Sequence, residues 1–239
     1  MAENLLRHWF ATLKRHPSAI LLGVQLLGVV LYPVMENTQA GRALFGAFGM
    51  VVLALALWVV NRSAMLNWVA WILALPAVVL SIVAAVSALP QLGAVAMVLE
   101  GALYLYTAFG LIAYMLRDHQ VTDDELFAAG ATFTLLAWSF AFAYAVCQQW
   151  YPGSFIAAAG TQQARTWMEL LYLSFSILSG VGLSDVVPVR AQARALVMLE
   201  QFAGVMYIAL VVSRLIGLAT SRALLRRRRP KRPRDQPPA

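Results

Sequence analysis

Residues Leu170 to Pro188 read LLYLSFSILSGVGLSDVVP. The stretch is a short apolar helix, a turn of small residues around Gly180 and Gly182, and an acid at Asp185, with a long apolar run close behind. In a chain this hydrophobic, that order of elements spells a re-entrant segment. Non-helical backbone survives at membrane depth only where protein buries it or a watery cavity solvates it. The rest of the chain therefore reads as the scaffold that holds the segment in place.

Composition sets the class. The 239 residues are 61% hydrophobic and 12% charged, with a mean hydropathy of +0.72, against roughly 25% charged in a soluble domain. An integral membrane protein follows. The net charge of +7 does not call for a nucleic-acid partner. Its basic residues sit at the chain ends and in one short loop, the cytoplasmic bias of membrane proteins, and not on a folded polar face. The single cysteine, Cys147, excludes an intrachain disulfide. No soluble domain of useful size fits outside the apolar runs, since the longest polar run is Arg226 to Ala239.

Taken in order, residues 1–17 place Leu5, Leu6, Trp9, Phe10 and Leu13 on one face, the pattern of an amphipathic helix lying in the membrane interface. The run Ala19 to Met35 reads as a retained first span, because Thr38-Gln39-Ala40 only weakly imitates a cleavage site. Further spans are expected at Ala43 to Val60, Leu66 to Leu89, Leu92 to Leu116, Leu126 to Trp150 and Ala193 to Ala219, each near or above the roughly 20 residues that cross the hydrocarbon. Thr122 with Glu125 reads as a capping box opening the fifth span, which ends in the belt residues Trp150 and Tyr151 and the helix stop Pro152. The result is six spans: a four-span unit over 18–117, a second unit over 118–220, and a basic tail over 221–239 expected to be disordered. Arg62, Arg117 and the Arg226 to Arg229 run fall on one side with the N-terminus, so both termini are expected in the cytoplasm.

The segments Leu171-Tyr172-Leu173-Ser174-Phe175, Val181-Gly182, Asp185, Pro188 and Arg194 carry a family likeness. From about Asp123 to Leu218 the chain resembles the tetrameric pore-loop cation channels, specifically the bacterial potassium-channel group with a two-helix pore module. The resemblance implies an all-α transmembrane fold in a bacterial plasma membrane, four copies around an axis, and a pore helix and filter between spans five and six. It places the filter at Ser179, Gly180, Val181, Gly182, Leu183, Ser184 and Asp185. A monovalent cation, potassium or sodium, would be held there by the backbone carbonyls of Gly180, Val181, Gly182 and Leu183, with no other cofactor. It also places an inner-helix hinge at Gly204, 19 residues beyond Asp185, and a cavity lining at Val205, Ile208 and Val212.

The departures from that pattern bear on selectivity. The family signature Thr-Val-Gly-Tyr-Gly-Asp faces Gly180, Val181, Gly182, Leu183, Ser184 and Asp185 here. Gly180 offers no hydroxyl to the innermost ring of oxygens, Leu183 cannot hydrogen-bond as a tyrosine would, and Ser184 replaces a glycine. Reduced or altered cation selectivity is therefore expected. The four-span unit matches a voltage-sensor domain in span count and position, yet Leu92 to Leu116 holds no basic residue. A sensor gains about 2.3 kcal/mol per charge per 100 mV, so steep voltage gating is not expected.

Other residues stand against plainer readings. Asp185 would form a carboxylate ring at the outer mouth, or cap its turn, or pair with Arg190 or Arg194. Glu169 follows Arg165 at i+4 and forms a local ion pair or a brace behind the filter. Glu100 lies inside the fourth span, as a sensing site or as a carboxyl bonded to Tyr104 or Gln25. Glu200 and Gln201 read as braces toward the fifth span or the pore helix. The Arg226 to Arg234 cluster suits anionic lipid or simple topology anchoring. The competing function is a non-conducting membrane sensor or regulatory subunit on the same fold. An enzyme is not expected, since no His, Cys, Asp or Glu cluster has metal-ligand spacing and no Ser/His pair is placed to react.

Overall fold

The computed structural model describes residues 17–35, 48–49, 51–52, 54–56, 58, 67–87, 89–117, 123–157 and 163–228. The expected interfacial helix at Ala2 to His16, parts of the second span, Thr122 and the chain beyond 228 lie outside these residues. The described elements are α1 (Pro17–Met35), α2 (Asn67–Ser87), α3 (Pro90–Arg117), α4 (Asp123–Trp150), β1 (Phe155–Ala157), α5 (Trp167–Leu178), β2 (Val186–Pro188) and α6 (Ala191–Arg228). Residues 48–58, where described, are helical.

Among the described residues, three helices are long and apolar enough to cross a membrane, over Gln91–Leu116, Asp124–Trp150 and Ala191–Arg214. Shorter apolar helices run over Pro17–Pro33 and Trp68–Ala84, and both α1 and α2 contain a proline, Pro33 and Pro76.

Helix α4 is the post of the fold: α1, α3, α5 and α6 all pack on it, while α2 packs on α3. Its sequence explains why. Between lipid-solvated helices there is little hydrophobic drive, so close approach relies on small residues and interhelical hydrogen bonds. Ala128, Ala131, Thr132, Ala137, Ser139 and Ala141 of α4 are all buried. Gly130 lets α1 in, since a Cβ there would lie 2.8 Å from Leu22 Cδ2. Gly101 of α3 does the same for Phe142, with 3.1 Å to its Cβ, and Ser139 Oγ donates to the Gly101 carbonyl at 2.9 Å. Deeper between α1 and α4, Thr134 Oγ1 donates to buried Gln25 at 2.7 Å.

The first turn of α4 ties α1 and α6 together. Asp124 accepts from Ser18 N at 3.2 Å and Ser18 Oγ at 2.9 Å, capping the start of α1 from outside. The neighbouring Glu125 pairs with Arg214 of α6 at 3.4 Å. That pairing gives Glu125 a tertiary role that the expected capping box does not foresee.

Three features depart from the sequence reading. Glu100 takes its hydrogen bond from Ser81 Oγ of α2 at 2.6 Å, and neither Tyr104 nor Gln25 supplies it. Tyr104 instead sets its ring edge-on to Trp138, with centroids 5.9 Å apart. A two-stranded antiparallel sheet, β1 with β2, interrupts the all-α plan in register Phe155↔Pro188, Ile156↔Val187 and Ala157↔Val186. Finally, α6 continues as helix to Arg228, past the expected boundary at 220, because Ala223, Leu224, Leu225 and the arginines after them are all strong helix formers.

The Ser18–Asp124 contact is open to test. Asp124→Ala removes the cap of α1 and should cost about 1 kcal/mol, read as a lower midpoint for thermal unfolding in detergent, with α-helical content at low temperature unchanged.

Candidate functional site

The site is built on α5, a helix of 12 residues that begins at a complete capping box. Glu169 N donates to Thr166 Oγ1 at 3.3 Å, and Thr166 N donates to Glu169 Oε2 at 2.6 Å. Two otherwise orphaned backbone donors are thereby satisfied, and the start of the helix is fixed. Arg165 also reaches Glu169, at 3.3 Å, so the local ion pair expected of these residues is present and serves the cap. The segment ahead of α5 is clamped to the end of α4: Arg165 N donates to Gln148 Oε1 at 2.9 Å, and Gln148 Nε2 donates to the Arg165 carbonyl at 2.8 Å. Trp167 then packs on Phe142 at 4.3 Å and on Trp138 at 6.3 Å.

The far face of α5 is held by Glu200. This glutamate of α6 is fully buried, and both of its oxygens are used. Tyr144 of α4 donates its hydroxyl to Oε2, and Ser174 of α5 meets Oε1 while also reaching the Ala137 carbonyl at 2.7 Å. One carboxyl group thus joins three helices. Gln201, its neighbour in sequence, is exposed and takes no part in that junction.

Helix α5 ends in a tight reversal. Ser179 N donates to the Phe175 carbonyl at 3.1 Å, Gly180 N to the Ile177 carbonyl at 3.0 Å, and Gly182 N to the Ser176 carbonyl at 3.0 Å. Gly180 and Gly182 have φ of +75° and +69°, a region that L side chains resist. Both glycines are therefore required by the path of the loop. Between and after them Val181 and Leu183 stand 70% and 68% exposed. Ser184 Oγ accepts from Val186 N at 3.1 Å, and Val186 enters β2. Pairing of β2 with β1, extended by Val189 N to the Ser154 carbonyl at 2.9 Å, fastens the loop's return to the end of α4.

Asp185 is exposed, and neither Arg190 nor Arg194 bonds to it among the described residues. Arg194 Nε donates instead to the Pro188 carbonyl at 3.3 Å. Asp185 and Glu169 share an open cavity of about 600 Å³ with Met168, Tyr172, Leu183 and Ser184. Glu100 lies apart, between α2 and α3.

Gly204 has a definite packing role. A Cβ there would fall on the Leu178 carbonyl oxygen, with Leu178 C at 2.9 Å and Cα at 3.0 Å. The last turn of α5 therefore rests directly on the backbone of α6. Helix α6 is continuous through this point. Val205, Ile208 and Val212 are exposed on the face turned away from α4, whereas Tyr207 turns inward and donates to the Ala129 carbonyl.

Tyr144, Ser174, Gln148 and Thr166 escape a reading of the chain for site residues. Thr166-x-x-Glu169 before an apolar run is a visible capping pattern. The other three are polar residues in apolar helices, and only their meeting in space marks them.

A family model described as ion channel matches residues 101–221, half of the chain. No curated protein and no solved structure matches it. The matched segment includes α4, α5, the glycine loop, the sheet and most of α6.

Substitutions at two positions test how α5 is held. Glu200→Ala strands the Tyr144 hydroxyl and opens a void, at a cost of roughly 2–4 kcal/mol, whereas Glu200→Gln keeps an acceptor and should retain most of the thermal midpoint. Gly204→Ala must push α5 from α6, and the overpacking should cost about 1–3 kcal/mol, read as a lower midpoint for thermal unfolding in detergent.

Proposed function

Because the chain belongs to the ion-channel family, we propose that it forms a homotetramer whose four glycine loops together surround a path for monovalent cations. One loop cannot encircle an ion, and closed cyclic symmetry is the usual answer. In this reading the chain crosses the membrane six times with both ends in the cytoplasm, residues 18–117 forming the peripheral unit and 118–220 the pore. The Arg-rich end contacts anionic lipid.

The observation that carries the reading is the loop itself. Its two glycines are locked in left-handed backbone and strapped by N–H donors to the carbonyls of α5. Val181 and Leu183 are left facing out from the chain, a poor arrangement for an isolated subunit and a natural one beside three copies. The outward row Val205, Ile208 and Val212 continues the same open side and would line the cavity below. Backbone carbonyls would coordinate potassium or sodium. With glycine at 180, leucine at 183 and serine at 184, the filter lacks a hydroxyl ring and a hydrogen-bonding brace, so discrimination between the two ions is weak. Absence of basic residues from Leu92 to Leu116 leaves α3 without gating charge.

Purified protein in liposomes should therefore pass both ions, with a potassium-to-sodium permeability ratio below about 10, from a species of four chains by native mass. The combined variant Gly180→Thr, Leu183→Tyr and Ser184→Gly restores the missing oxygens and brace, and should raise that ratio by about tenfold or more. Vesicles that stay as tight as empty ones with both parent and variant would overturn the proposal.

A further inference from the structure

Helices α3 and α6 both lie against α4 and leave a cleft between them on one side. Its volume is about 520 Å³, within the range of ligand pockets, which occur between the helices of bundles. Ala102 and Leu105 form one wall, Ala143 and Val146 the floor, and Ala195 and Leu199 the other wall. The mouth carries Trp150, Tyr151 and Gln192, all at the end of the molecule where α4 stops and α6 starts.

We infer that this cleft is a binding site for one acyl chain of a membrane phospholipid, with its headgroup at Trp150, Tyr151 and Gln192. The inference rests on α3, α4 and α6 spanning the bilayer, for which they are long and apolar enough.

Four observations select that occupant. First, the floor asks for no polar partner. Ser139 Oγ already donates to the Gly101 carbonyl at 2.9 Å, and Cys147 Sγ to Ser154 Oγ at 3.8 Å. A ligand with hydrogen-bonding groups would lose their hydration here and gain nothing. Second, polarity is confined to the mouth, where indole, phenol and amide are the side chains that sit at the headgroup level of a bilayer. The occupant is apolar along its length and polar at one end. Third, the size fits. From Ser139 to Trp150 the floor is 11 residues of helix, or about 16 Å at 1.5 Å per residue. That is half of the roughly 30 Å hydrocarbon, the depth of one leaflet. A partner's helix is about 10–12 Å across with a 5.4 Å pitch and displaces roughly 500 Å³ per turn; the cleft would seat a single turn of it. Fourth, the long side is open between Val98 and Leu199, both exposed, so the cleft is continuous with the lipid-facing surface. An apolar hollow opening into hydrocarbon fills with hydrocarbon.

The site matters because of where it lies. Its walls belong to the peripheral α3 and to α6, the helix that holds Glu200 and Gly204. A chain in the cleft fills the gap through which these two helices would otherwise approach each other.

The test uses the full chain in phosphatidylcholine vesicles doped with a phosphatidylcholine bearing a photoactivatable diazirine near the middle of one acyl chain. After illumination, peptide mapping should place adducts on 97–105, 139–151 and 192–199 in about tenfold excess over Val30 and Ile72, which are exposed apolar residues of α1 and α2. Ala143→Phe fills the floor and should abolish that excess while leaving the adducts at Val30 and Ile72 unchanged. Ala102→Leu, from another wall, repeats the measurement should the first variant not fold. Even labelling over all exposed apolar positions, or an excess that survives both filled variants, overturns the proposal. So does a zero-length cross-link from the cleft to a second copy, which would make the occupant protein. Loss of adducts at Val30 and Ile72 as well would instead sink the bilayer-spanning reading on which the inference stands.

Discussion

A carboxyl group buried in a membrane helix is costly unless its oxygens are bonded, and Glu200 is placed where both of them are. Tyr144 reaches one oxygen from α4, and Ser174 reaches the other from α5. Each of the three side chains would be a liability alone in an apolar helix. Together they satisfy one another, and in doing so they hold α4, α5 and α6 at one point. Four residues further along α6, Gly204 brings the backbone of that helix against the Leu178 carbonyl. The glycine loop leaves α5 one residue beyond that contact. Its position thus follows from one polar junction and one close backbone approach, neither of which depends on hydrophobic drive.

The same logic extends outward from α4. Small residues on this helix let α1, α3, α5 and α6 come close, and hydrogen bonds from Thr134, Ser139 and Tyr144 fix the partners. The peripheral helices α1 and α3 consequently lie on α4 of their own chain. At the start of α4, consecutive acids divide the work: Asp124 caps α1, and Glu125 pairs with Arg214 of α6. Helices α1 and α6 therefore share one helical turn of α4 as a common support.

How far the chain could be read depended on the range of each interaction. The glycine loop was legible because its requirement is local: positive φ at Gly180 and Gly182 is a property of two residues and the turn they sit in. The Arg165–Glu169 pair was legible for the same reason, being one helical turn apart. Glu100 was legible as an anomaly, but its partner was not, because Ser81 lies on another helix and nothing in the spacing singles it out over Tyr104 or Gln25. The strands β1 and β2 were invisible to periodicity, being three residues each and paired across the whole of α5. The resemblance to pore-loop channels marked Gly204 as a bend; the structure gives it a neighbour that a side chain would displace.

The sequence by itself determined that this is an apolar, membrane-type chain, that a short apolar helix runs into a glycine turn, and where that turn lies. Those properties are set by composition and by residues a few positions apart, where the chain's own geometry leaves little choice. Only the tertiary structure decided what holds the segment: Glu200 with Tyr144 and Ser174, Gln148 with Arg165, and the sheet that closes the loop. It also decided that α3 and α6 stand apart far enough to leave a cleft. Polar residues in apolar helices have many conceivable partners, and their burial cost selects among them only when the helices meet.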